Sequence, residues 1–146
     1  MIAFPASWAL SARAWVEILG CRVRLRLPRL LRTEPFLRRE LTARADENPG
    51  GLELEELLAA FDRAMGLQPG APPCLPRSLA LRRFLARHGH AARLGLGLRR
   101  EGGRFDGHAW VEAAGGVVTR DVDFTRTFLP LRSGSAGPSL RRSCDA

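Results

Sequence analysis

The sequence predicts an α+β domain, with helices first and a small antiparallel sheet after them. Three observations carry that prediction. Leu54, Leu57, Leu58, Phe61 and Met65 recur with a helical period, while Glu53, Glu55, Glu56 and Asp62 fall on the other side. The same period returns from Ser78 to His88, where Leu81, Phe84, Leu85 and His88 make one face and Arg82, Arg83 and Arg87 lie outside it. After Gly89 the period drops to two. Leu94, Leu96 and Leu98 alternate with Gly95, Gly97 and Arg99, the stretch EGGRFDG interrupts, and HAWVEAAGGVVTRDVDF supplies two short strands around Gly115-Gly116.

Earlier in the chain, Trp8, Ala12, Trp15 and Leu19 follow at helical spacing and predict a helix over 6–20. Core packing is the favoured reading for its tryptophans, with contact to a partner or a membrane surface as the alternative. CRVRLRLPRLLR alternates like a strand at Val23, Leu25 and Leu27, yet Leu27, Leu30 and Leu31 suit a helix, which is preferred. Pro28 and Pro35 punctuate it, pushing the residues before them out of helical geometry. ADENPGG carries turn pairs and closes this section. Gly66 then ends the Leu54–Met65 helix, and GLQPGAPP runs extended to Cys74. The expected organisation is a helical N-terminal extension over 1–46, a catalytic domain over 47–131 and a disordered tail over 132–146 that includes Cys144.

At 146 residues, the chain has enough length for one domain with its own core. Its net charge is +8 and every basic side chain is Arg, with no Lys and no Tyr. Such a surface attracts nucleic acid, acidic lipid or acidic peptide without choosing among them. The arginines are scattered and unaccompanied by an aromatic-basic surface motif, so no nucleic-acid partner is expected. Cys21, Cys74 and Cys144 form no close pair, which argues against a disulfide framework and for a reducing, cytoplasmic setting. The opening MIAFPASWALSARAWVEILG lacks a basic lead and is broken by Arg13 and Glu17, so neither a signal peptide nor a spanning helix is expected. His88, His90 and the cysteines lack CxxC or HExxH spacing, so neither metal nor cofactor is expected.

The chemistry-bearing stretch is PPCLPRSLALRRFLARHG. Pro76 fits the first turn of a helix and Gly89 its end, which puts Cys74 just before the N-terminus. Free N–H groups and the positive end of the helix dipole stabilise a thiolate there, and the same N–H groups suit an oxyanion. Downstream, His108, Trp110 and Glu112 share one face of a strand. A turn at Ala114-Gly115 would set Asp121 across from His108, and a turn at Gly115-Gly116, the better pair for positive φ, would set Asp123 there. Either carboxylate would orient the imidazole so that it accepts the thiol proton of Cys74, the logic of a Cys-His-Asp triad.

These residues, in the order CLPRSLALRRFLARHG then GHAWVEAAGGVV, resemble the leader-peptidase B protein of lasso-peptide biosynthesis, a transglutaminase-like family. The resemblance covers roughly 52–131 and implies a transglutaminase/papain-like core, N-terminal helices followed by a Cys-bearing helix packed on the sheet. It implies Cys74 as nucleophile, His108 as base and Asp121 as the third member. It also implies cleavage of a precursor peptide at its leader–core junction, with no cofactor, beside a separate leader-recognition protein and an ATP-dependent lasso cyclase. The expected partners follow the split form of the family, in which leader binding belongs to a second small protein. An acyltransferase with the same triad is the alternative activity, and a basic nucleic-acid-binding module the alternative class.

Overall fold

The computed structural model describes residues 6–27, 33–42, 51–120 and 122–131. Along the chain these form α1 (Ala6–Arg26), α2 (Thr33–Thr42), α3 (Leu54–Gly66), α4 (Cys74–Arg87), β1 (Ala92–Glu101), β2 (Arg104–Ala113), β3 (Gly116–Val117), the one-turn α5 (Val122–Thr125) and β4 (Leu129–Pro130). The strands pair antiparallel in the order β3-β2-β1-β4. Helices followed by an antiparallel sheet give the α+β arrangement that the change of period predicts.

Helix α4 is buried on nearly every side, through Pro76, Ser78, Leu79, Ala80, Leu81, Arg82, Phe84 and Leu85. One core joins it to Leu10, Ala14, Ile18 and Cys21 of α1, to Leu57, Ala60, Phe61 and Ala64 of α3, and to Ala92, Leu94, Val111 and Ala113 of the sheet. Full burial of a Leu or Phe is worth about 1.5–3 kcal/mol, so the central position of α4 makes it the main organiser of the fold. The expectation that Arg82 lies outside is corrected. It is 3% exposed, paired with the also buried Glu40 of α2. Arg83 joins both Glu40 at 2.6 Å and Glu17 of α1 at 3.1 Å, and Arg87 meets Glu17 at 2.7 Å. Charges occupy buried positions here because each is paired.

The same pairing explains a second correction. α1 forms as expected and extends through Arg26, but Trp8 is 59% exposed, with Ala12 and Leu19 also exposed and Trp15 half-buried. The core face of α1 is Leu10, Ser11, Ala14, Glu17, Ile18 and Cys21. Apolarity alone selects the wrong face because the core face holds a serine and a paired glutamate. Pro28 lies outside the described residues, and Pro35 does not break a helix: it sits in the first turn of α2, where its missing N–H costs nothing.

Strands β1 and β2 also exceed expectation. Glu101 pairs with Arg104, so only Gly102-Gly103 turns, both at positive φ, and Arg104–Gly107 of the supposed interruption are strand. Ala113 pairs with Gly116, which selects the Ala114-Gly115 turn, with φ of 50° and 80°, over Gly115-Gly116. β3 then ends after two residues. The chain bends at Thr119 and Arg120, and the segment VDF, expected as strand, is α5. Cys144 and the 132–146 tail lie outside the described residues.

Candidate active site

Cys74 is the first residue of α4, one step later than expected, and Pro73 is its N-cap with no side-chain capping bond. Pro76 has no N–H and the N–H of Arg77 is taken by the Pro73 carbonyl, so Cys74 and Leu75 supply the uncapped donors of the first turn. The Cys74 side is half-buried. Cys21 is of a different kind: it is 3% exposed, and burial above all pushes its thiol up to about 11, with Glu17 and Glu40 adding and Arg83 and Arg24 opposing. Of these two cysteines, only Cys74 combines access with a helix terminus.

His108 lies in β2 on the face of Trp110 and Glu112, as the alternation predicts, and is 7% exposed. Its ring stacks on Trp110 at 6.1 Å and touches Phe124 at 5.2 Å and Phe128 at 5.1 Å. Trp110 can lie flat there because β1 offers Gly95 and Gly97: a Cβ at Gly95 would overlap the indole, and one at Gly97 would come within 2.8 Å of Phe128. The Arg99 guanidinium lies over Phe124 and Phe128 at 5.0 and 4.8 Å and donates to Thr127 Oγ1 at 3.2 Å, holding the α5–β4 segment against the sheet. Thr125 Oγ1 stands 3.3 Å from His108 Nε2. This threonine and the two phenylalanines have no signal in the sequence pattern, because α5 replaces the expected strand.

A single buried bond relates the two elements. Ser78 Oγ donates to the Ala109 carbonyl at 2.9 Å. Val111, two residues on, points its carbonyl away from β1 to the Val118 N–H, so Ala109 also points to the β3 side, where β3 has already ended. Ser78 thus stands at the open edge of β2, beside His108. Cys74 is one helical turn before Ser78 on the same helix face. The helix leads through residues 88–91 into Ala92, which pairs with Ala113, so its C-terminus lies at that end of the sheet and Cys74 toward the other. From Ser78 the helix therefore runs back to Cys74 in the direction that leads along β2 from Ala109 toward Gly107. The helix lies on the sheet face of Ala109 and Val111, and His108 on the opposite face.

Of the two candidate carboxylates, Asp121 lies outside the described residues. Asp123 lies in α5, its side chain 99% exposed and 3.8 Å from Arg126, not across a strand from His108. Among the described residues no group of His, Cys, Asp and Glu could hold a metal ion, and no helix is long and apolar enough to cross a membrane.

The sequence signature of the Transglutaminase-like superfamily matches residues 15–133. The chain belongs to the transglutaminase-like superfamily. No curated protein and no solved structure matches it. The match begins within α1 and runs past β4, so it takes in α4, the whole sheet and α5. The transglutaminase-like superfamily generally comprises cysteine-dependent enzymes, with a fold of the cysteine-peptidase and acyltransferase type. That class of chemistry fits a cysteine at the start of a central helix packed on an antiparallel sheet.

Proposed function

We propose that this transglutaminase-like domain is a cysteine peptidase that removes the leader from a lasso-peptide precursor. Cys74 is the nucleophile, His108 the general base and then acid, and Asp121 the carboxylate that orients the imidazole. The observation that carries the reading is the Ser78–Ala109 bond, which ties the Cys74 helix, one turn after Cys74, to the strand position next to His108.

His108 takes the Cys74 proton as the thiolate attacks the scissile carbonyl, and the Cys74 and Leu75 N–H groups receive the charge developing on its oxygen. The imidazolium gives its proton to the departing amine, leaving a thioester, which water activated by His108 hydrolyses. Acid–base help of this kind contributes about 10²–10⁴-fold. The nest of Trp110, Phe124 and Phe128 keeps His108 in one orientation. Leader recognition then falls to a separate small protein, and the freed core amine to an ATP-dependent cyclase.

The test mixes the protein, the recognition protein and candidate precursors and follows leader release by mass spectrometry. Cleavage at the leader–core junction, lost in Cys74→Ala, is the expected result. Transfer of the acyl group to an added amine, with no hydrolysis, would move the assignment to an acyltransferase. No cleavage with any precursor would overturn the peptidase reading.

A further inference from the structure

An antiparallel strand sends its backbone groups alternately to its two neighbours. Glu101 of β1 and Arg104 of β2 flank the two-residue turn and pair across it, so in β2 the even-numbered residues from Arg104 aim at β1 and the odd-numbered ones away from it. The Val118 bond to Val111 and the Ser78 bond to Ala109 both follow this rule. β3 pairs with only Glu112 and Ala113. Toward the hairpin tip, the next outward backbone groups belong to Gly107 and Phe105, and no described strand lies beside them. Both residues are exposed, Phe105 to 74%.

We infer that this edge of β2, Phe105 to Gly107, receives the substrate as an added strand, so that the enzyme acts on extended peptide backbone. The inference rests on the peptidase reading and specifies how that site takes its substrate. The edge continues from Ala109 in the direction in which α4 runs back from Ser78 to Cys74, so a strand seated on it lies toward the N-terminal end of that helix. A helical substrate has its N–H and C=O groups bonded internally and cannot pair there, whereas an extended one offers both at every second residue. Gly107 carries no side chain to hold a second backbone away. Phe105 has the parity of Ala109 and Val111, so its ring stands on the sheet face that carries α4, with the Arg100 guanidinium 5.9 Å from the ring centroid. That ring gives an apolar platform to a substrate side chain pointing to the same face.

The test is a scan of single N-methyl groups through a peptide spanning the leader–core junction of the candidate precursor. Loss of an edge hydrogen bond should raise KM about five- to tenfold at every second position and leave the residues between unchanged. Gly107→Pro should also raise KM with little change in kcat, because the N–H it removes points away from β1. The second measurement is amide hydrogen exchange by NMR on Cys74→Ala with the same peptide, which does not depend on cleavage. Protection of the Phe105 and Gly107 amides, with Arg104 and Asp106 unchanged, is the expected result. Cleavage without the two-residue alternation, or no protection at Phe105 and Gly107, overturns the inference while leaving the peptidase reading standing. Protection without any cleavage supports strand addition and sinks the peptidase reading instead.

Discussion

Ser78 and Ala109 are joined by a hydrogen bond that is buried on both sides, and it fixes where the N-terminus of the central helix meets the sheet. Ser78→Ala leaves the Ala109 carbonyl buried without that partner, which should cost about 1–3 kcal/mol in urea unfolding. The loss of peptidase rate should exceed what the unfolded fraction accounts for, since Cys74 lies one turn before Ser78 on the same helix face. Ser11→Ala, which loses the bond to Ser7 within α1 and the one that Ser11 accepts from Arg63 of α3, is the comparison and should leave the rate unchanged.

Iodoacetamide should label Cys74 well before Cys21 in the folded protein. Cys21 is held neutral by burial and is closed to reagent, while Cys74 is half-exposed at a helix terminus. Mass mapping of the alkylated peptides reads the order directly, and equal labelling would remove the case for Cys74 as the reactive thiol.

Among the described residues, the buried group on which alkaline stability should report is Cys21. Its pKa is raised from 9.0 to about 11, so folding favours the neutral thiol: the stabilisation is complete below pH 9 and is lost as pH rises toward 11. With no Lys and no Tyr in the chain, few other side chains titrate in that window. Cys21→Ala should flatten the fall in thermal midpoint between pH 9 and 11 that the unsubstituted protein shows.

Asp121→Asn should slow leader release by roughly a hundredfold or more while the protein stays folded, because an amide carries no charge to stabilise the imidazolium. Asp123→Asn should leave the rate nearly unchanged, as its carboxylate is on the surface. Single-turnover cleavage ranks the two, and the reverse order would place Asp123 in the site.

Glu40→Ala should cost about 3–5 kcal/mol, since it removes a buried carboxylate that pairs with both Arg82 and Arg83. Arg38→Ala, whose ion pair with Glu34 is fully on the surface, should shift the urea midpoint little.

The sequence by itself determined the class of fold and the stations of its two central residues. The change from a 3.6 to a 2 period at Gly89 separates helices from sheet, Pro76 and Gly89 bracket α4, and parity puts His108 and Trp110 on one face. These are local signals, set by backbone geometry within a few residues. Tertiary structure decided what local signals cannot carry. The apolar stripe of α1 faces solvent because paired charges from α2 and α4 claim its other side. The Ala114-Gly115 turn is chosen over a pair with better turn propensity. β3 stops after Val117 and α5 forms instead, which brings Thr125, Phe124 and Phe128 onto His108. Each of these outcomes depends on partners distant in sequence, such as Glu17 with Arg83 or Ser78 with Ala109, and burial repays a buried polar group only when such a partner arrives.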